Sequence, residues 1–158
     1  MNIFILDTEH EKSALYYVDK HVVKMPLETA QMLCTVIASA GIETPYKPTH
    51  KNHPCTLWLN ESLDNFYWLC DLGIAICKEY TFRYGKVHKC EAIINWCRDN
   101  APAILSIGLT KQALAMPEPC KVPSDVVLSY RNYYIKEKAH LHSWKNRTKP
   151  YWINNLIK

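Results

Sequence analysis

Apolar residues recur at helical spacing along most of the chain, and no stretch alternates between apolar and polar residues as a strand would. The first six residues are apolar and extended. Polar capping residues and glycines then divide the remainder. The sequence therefore predicts an all-α fold of about five helices, over residues 8–18, 19–40, 55–84, 86–99 and 124–140, beginning at the capping residues Thr8, Asp19 and Ser124 where such residues occur.

Proline and glycine mark the breaks between these helices. Pro26 interrupts the second helix, which predicts either a kink there or two helices that meet at Met25. Gly41 and Gly85 are expected to end helices. Residues 41–54 and 100–123 hold several prolines and no hydrophobic period, so we expect long loops, the second with at most a short helical turn.

The length favours one domain over residues 1–158, with a basic, aromatic C-terminal segment over residues 130–158 packed on it. The seven cysteines form no CxxC pair, and no signal peptide opens the chain, which predicts an intracellular protein in a reducing compartment. No apolar run is long enough to span a membrane. No cofactor is expected, since Gly-rich phosphate loops and dinucleotide fingerprints are missing.

One face of the second helix is the first candidate for chemistry. Residues three, four and seven apart share a face, so His21, Lys24 and Glu28 are neighbours there. The surrounding residues are apolar, and a charged stripe on a buried helix is costly unless it has a purpose. A carboxylate beside an amine and an imidazole can act as a general acid or base or stabilise a cation. The alternative is a solvated ion pair between Glu28 and Lys24.

The following loop holds a second polar group, His50-Lys51-Asn52-His53-Pro54. These side chains suit contact with a phosphate or a base edge. A metal site would need further ligands, for which Asp7, His10, His21 and Glu28 are only candidates, and we predict no metal site. Asn52 is equally suited to cap the helix that begins near Pro54.

The C-terminal third combines cations with aromatic rings, a pattern that suits phosphate neutralisation and base stacking. The net charge of +4 agrees with nucleic-acid contact without establishing it. The alternative is a solvated tail that its aromatic residues fold back onto the core. The candidate residues for nucleic-acid contact there are Arg131, Lys136, Lys138, Trp144, Lys145, Arg147 and Lys149.

The motif Asp19-Lys20-His21, with Glu28 seven residues after the histidine, precedes the His-Pro loop and a long helix that ends Arg83-Tyr84-Gly85. In this order and spacing, residues 1–85 resemble the pyrimidine-dimer DNA glycosylases of the phage endonuclease V type. The resemblance implies a small all-helical DNA enzyme, a catalytic glutamate at Glu28, a partner histidine at His21 and DNA contacts that include Lys20 and Arg83. Together with the size, it suggests a viral protein acting in a host cytoplasm.

The resemblance also implies a mechanism in which an amine attacks the sugar C1′ carbon, forms a Schiff base and leads to β-elimination. α-Amino groups suit this role because their reference pKa of about 7.7–8.0 leaves many of them neutral at working pH. The phage enzymes expose a small second residue after removal of the initiator, whereas Asn2 should retain Met1 here. The nucleophile is therefore expected to be Met1 or Lys24. Leu27 stands where the family has an arginine.

Two other functions stay open from the sequence. The first is a non-catalytic protein, with an anti-defence or regulatory role, that holds DNA or a nucleotide in the same pocket. The second is a metal-dependent hydrolase that uses the histidines. The substrate base, the oligomeric state and the identity of the nucleophile do not follow from the sequence.

Overall fold

The computed structural model describes residues 1–154, and the last four positions of the predicted 1–158 domain and 130–158 segment lie outside the described residues. The described residues form six α-helices and no β-strand, so the all-α prediction is confirmed. The helices are α1 (His10–Tyr16), α2 (Asp19–Ser39), α3 (Pro54–Glu61), α4 (Leu63–Tyr84), α5 (Cys90–Asp99) and α6 (Val126–Glu137), with 3₁₀ turns at Glu118–Cys120 and Ala139–Leu141.

The number of helices exceeds five because the predicted helix 55–84 is two helices. Ser62 adopts an extended backbone conformation, and its hydroxyl accepts a hydrogen bond from the backbone N–H of Asp64 at 3.2 Å. This N-cap ends α3 and begins α4. Asn52 does not cap α3: the ring Nδ1 of His53 accepts from the N–H of Cys55 at 3.1 Å.

Other helix boundaries also differ from prediction. Asp125, rather than Ser124, caps α6 by accepting from the N–H of Leu128 at 3.0 Å. Thr8 does not cap α1, which begins at His10, and Asp19 is the first residue of α2 rather than its cap. Helix α2 runs without a break through Pro26, so the alternative of two helices meeting at Met25 is wrong.

Helix α4 is the centre of the fold and packs against α1, α2, α3 and α5. Its Gly73 lets α2 and α5 approach closely, since an added Cβ would lie 2.9 Å from the Thr29 methyl carbon and 3.0 Å from Cδ1 of Ile94. Gly85 ends the helix with φ of 70°, as predicted. All seven cysteines are free and buried, and they pack as small apolar side chains.

The extended N-terminal residues 2–6 are buried in this core. The carbonyl of Phe4 accepts a hydrogen bond from the Tyr17 hydroxyl at 2.7 Å, and the N–H of Leu6 donates to the Ser13 hydroxyl at 3.0 Å. Helix α6 covers the segment from the other side. The first residues of the chain therefore have one fixed position beside α2.

Candidate active site

The α-amino group of Met1 lies against the buried carboxylate of Glu28, at 3.1 Å from Oε1. The Met1 side chain is 4% exposed and the Glu28 side chain is 10% exposed, whereas Met1 as a whole residue is half-buried, so water reaches Met1 mainly at its backbone. Lys24, one turn earlier on α2, places Nζ 3.4 Å from the other oxygen, Oε2, with its side chain 65% exposed. Glu28 thus stands between two amines, the α-amine of Met1 and the exposed ammonium of Lys24.

Asn2 fixes the position of this terminal amine. Its side-chain N–H₂ donates to the carbonyl of Ala115 at 2.9 Å, and its side-chain oxygen accepts from the Tyr130 hydroxyl at 3.2 Å. The same oxygen accepts from the N–H of Ile3 at 2.8 Å. Because the side chain of Asn2 makes all these hydrogen bonds in the core, it fixes the backbone of Met1 and Ile3 on either side.

His21 lies on the same face of α2, buried and stacked on Phe4 with ring centroids 4.3 Å apart. Burial, and then the positive charges of Lys138 and Lys24, lower the pKa of His21 to about 3. The imidazole is therefore neutral near pH 7. Its Nδ1 lies 2.7 Å from the Tyr134 hydroxyl, which itself accepts from the N–H of Val18 at 3.4 Å. When the Tyr134 hydroxyl donates its proton to Nδ1, the ring proton of His21 lies on Nε2.

A cavity of about 130 Å³ opens over these groups. Tyr133 and Lys138, from α6 and the turn after it, form its other wall, and the Lys138 ammonium lies 5.0 Å from the Tyr133 ring centroid. Sequence reasoning placed Lys138 in a DNA grip and did not connect it with the Glu28 pocket. The helical spacing of residues 130, 133, 134 and 138 could have suggested one shared face.

The His50–Pro54 loop contributes one residue to this neighbourhood. The pKa of His53 is lowered by burial and then by the positive charge of the α-amino group, which indicates how near it is to Met1. His50, Lys51 and Asn52 line none of the cavities around Glu28, and His50 adopts a positive φ of 51° with its ring bonded to the Thr49 hydroxyl at 2.8 Å. These three residues lie at the surface of the loop, apart from the Glu28 pocket.

Arg83, a sequence candidate for DNA contact, lies in the interior of the fold. Its side chain is fully buried and forms ion pairs with Glu79 at 2.6 Å and Asp19 at 3.0 Å. It also donates to two backbone carbonyls, those of Tyr17 at 2.8 Å and Leu15 at 3.0 Å. The guanidinium therefore connects the start of α2 to the end of α1 and to α4, a structural task that its sequence position did not reveal.

Most cations predicted at the C-terminus already have protein partners. Arg147 forks onto Glu79 at 3.0 Å, and Arg131 pairs with Asp7 at 3.2 Å while it lies over the Trp152 ring. The remaining contacts join Lys136 to the Pro119 carbonyl, Lys145 to the Tyr84 ring, Lys149 to the Asn154 side chain and the Trp144 ring N–H to the Tyr16 carbonyl. Lys20, on α2, is exposed. These contacts hold the described part of the segment against the rest of the fold.

Within residues 1–154, no three His, Cys, Asp or Glu side chains converge so that they could hold a metal ion. In the same part of the chain, no helix combines the length and the apolar character needed to cross a membrane.

Comparison with known proteins gives one match. The sequence model of a family described as "Pyrimidine dimer DNA glycosylase" matches residues 1–92. This stretch covers more than half of the chain and contains α1 to α4, the loop with His53 and all of the residues around the Glu28 carboxylate except those of the α6 wall. No curated protein sequence and no solved structure gives a significant match.

Proposed function

Because the chain belongs to the pyrimidine dimer DNA glycosylase family, we propose that it removes damaged or modified bases from DNA and then cleaves the strand as an AP lyase. In this proposal the α-amine of Met1 is the nucleophile and Glu28 is the acid–base group. The observation that carries it is the 3.1 Å contact between the α-nitrogen and the buried Glu28 carboxylate. An amine without such a partner has no nearby acceptor for its proton.

The single proton that Met1 and Glu28 exchange can serve both base release and strand cleavage. Glu28 accepts a proton from the ammonium, which frees the nitrogen lone pair to attack C1′ of the damaged nucleotide. The C1′–N bond to the base breaks, and the protonated Glu28 returns the proton to the departing base. One proton of the resulting secondary ammonium moves to O4′ as the C1′–O4′ bond breaks, which opens the ring and gives an iminium between C1′ and the Met1 nitrogen. The Glu28 carboxylate, negative again, stabilises this cation and accepts a C2′ proton, and the C3′–O bond then breaks to release the 3′ phosphate.

Lys24 suits a different task. Its ammonium is mostly exposed and meets Glu28 at a longer distance, 3.4 Å, so it reaches toward solvent where a DNA phosphate would lie. An exposed ammonium is strongly hydrated and charged, which favours a phosphate contact over nucleophilic attack. His21, neutral and carrying its proton on Nε2, is suited to donate a hydrogen bond to a sugar or base oxygen.

The size of the pocket limits what enters it. A cavity of about 130 Å³ holds the sugar carbon under attack but not a whole nucleotide pair. The target nucleotide must therefore be displaced from the helix, which costs a few kcal/mol and costs least at a damaged or mismatched base. Because this cost is lower at a damaged base than at a normal one, the enzyme should act preferentially on damaged sites.

The test is borohydride trapping on duplex DNA with one abasic site, followed by tryptic mapping of the adduct. Hydride reduces the iminium to a stable secondary amine, so the modified peptide identifies the nucleophile. The proposal expects the adduct on residues 1–12, which end at the first tryptic site, Lys12. Trypsin does not cut after a modified lysine or between Lys47 and Pro48, so an adduct at Lys24 would appear in the peptide 21–51 and would make Lys24 the nucleophile instead.

Two controls complete this experiment. Transamination of the α-amine to a ketone leaves lysine side chains intact and should abolish trapping. Lys24→Gln should reduce DNA affinity and retain the adduct. Salt-sensitive DNA binding with no adduct at any pH would refute the lyase and support the alternative, a binding protein that uses the same pocket.

A further inference from the structure

A second, larger depression of about 550 Å³ adjoins the Glu28 pocket, between α2 and the start of α5. Lys24 belongs to both. Two exposed lysines from the α4–α5 connection, Lys86 and Lys89, line the far side, and three exposed apolar side chains form the floor: Val23 at 46%, Leu27 at 37% and Val87 at 68%. We call this depression the α2–α5 groove.

The charge of the groove is unbalanced. Lys86 and Lys89 have no carboxylate partner within the described residues, and no acidic residue among them lines the groove. A larger cavity, about 780 Å³ between α1, α4 and α5, differs in this respect. Its two arginines are paired, Arg98 with Asp71 and Arg147 with Glu79. The α2–α5 groove therefore offers free positive charge directly beside the candidate site.

The groove is also held in shape. His88 lies between its two lysines, buried, with Nδ1 accepting from the N–H of Cys90 at 3.0 Å. Its other nitrogen, Nε2, then carries the proton and donates to the carbonyl of Val23 at 2.9 Å. The α4–α5 connection is thereby fastened to α2 one turn before Glu28.

We propose that the α2–α5 groove holds the sugar–phosphate backbone of the DNA strand that leaves the Glu28 pocket, with phosphates on Lys24, Lys86 and Lys89 and sugars on the apolar floor. This assignment rests on the proposed function, since the strand must pass the amine. A DNA strand carries phosphates that suit the lysines on the rim and sugars whose apolar faces suit the floor of the groove. An acidic protein surface would match the lysines but not the apolar floor, and an apolar protein surface would match the floor but not the lysines.

The test compares two double variants of equal charge. Lys86→Gln with Lys89→Gln removes two of the three groove cations and keeps Lys24, and Lys12→Gln with Lys111→Gln removes two exposed lysines that do not line the groove. Equilibrium affinity for abasic-site duplex is measured over a range of salt concentrations. The groove variant should bind roughly tenfold more weakly, and the slope of log affinity against log salt should become shallower by about 0.9 for each phosphate that the protein no longer neutralises.

Two results would overturn the groove assignment. Equal affinities and equal salt slopes for the two double variants would overturn the groove assignment. Val87→Glu adds an anion at an exposed position without disturbing the core, and binding that stays as tight as wild type would overturn it as well. Borohydride trapping at saturating protein reports on the amine separately: a wild type that forms no adduct refutes the lyase, whereas the salt slopes still test the groove.

Discussion

The side-chain oxygen of Asn2 accepts a hydrogen bond from the Tyr130 hydroxyl at 3.2 Å, a contact between residues 128 positions apart. Tyr130 belongs to α6, which lies beyond the residues 1–92 that match the family. Tyr133 and Lys138 line the cavity over Glu28 from the same side. The second half of this chain thus takes part in holding the N-terminus and in shaping the pocket.

Asn2→Asp should destabilise the protein by about 2 kcal/mol, because the buried amide donor to the Ala115 carbonyl is replaced by an oxygen that faces it. The measurement is urea unfolding. Asn52→Asp, at an exposed loop position, is the matched control and should leave the free energy of unfolding within about 0.5 kcal/mol of wild type. Equal free energies of unfolding for Asn2→Asp and Asn52→Asp would contradict a role of the Asn2 side chain in holding the N-terminal segment. Intact mass should show that both proteins retain Met1.

Glu28→Gln should lower the rate of base release by at least about 10²-fold, because the amide can neither accept the proton of the Met1 ammonium nor return it to the base. DNA affinity should stay equal or rise, since the substitution removes a negative charge beside Lys24, where we propose that a DNA phosphate binds. Single-turnover kinetics and a binding titration separate the two effects. Glu43→Gln, at an exposed loop residue, controls for the charge change. A Glu28→Gln rate close to wild type would remove Glu28 from the mechanism.

His21 should make stability depend on pH between about 6.5 and 3. The folded-state pKa of His21 is about 3 and the ordinary value is 6.5, so in this window the unfolded chain binds a proton that the folded chain does not. The free energy of unfolding therefore rises with pH and decreases as the pH falls. His21→Gln should reduce this slope by about 1 kcal/mol per pH unit, measured by urea unfolding from pH 6 to 4. Parallel slopes for the two proteins would contradict it.

Arg83→Met should cost about 3–5 kcal/mol of stability, because the Tyr17 and Leu15 carbonyls lose their donor and the buried Glu79 carboxylate loses one of its two guanidinium partners. Where the variant is still folded, its DNA affinity and salt slope should match those of wild type. Chemical unfolding and a binding titration at low temperature test both parts. A normal stability with weakened DNA binding would restore the DNA contact that the sequence suggested.

Local patterns predicted the helices better than their ends. The helical period over residues 55–84 is real, but it hides the Ser62 cap because the apolar stripes of α3 and α4 continue one into the other. The cap of α6 is Asp125 rather than Ser124, since the two residues are equally suitable and the surrounding loop decides between them. Boundaries of this kind depend on contacts that the sequence does not display.

In the candidate site, too, local spacing could be predicted from the sequence and contacts between distant segments could not. Spacing on one helix was enough to group His21, Lys24 and Glu28, because neighbours on a helix face follow from geometry alone. The contact of Met1 with Glu28 could be suggested only by resemblance, since no local pattern brings a chain terminus to a helix face. The burial of Arg83 could not be read from the sequence because most of its partners lie on other segments, and a free arginine and a buried one look alike in a sequence.

The burial of residues 2–6 under α6 also sets an order for folding on the ribosome. Residues 2–6 are made well before α6, so Asn2 can contact Tyr130, 128 positions later, and Phe4 can contact Tyr134 only once α6 has been made. Until then the terminal amine has no fixed place beside α2. Closing such a distant contact is slow compared with forming the helices themselves, so the pocket should be among the last features of the nascent protein to form.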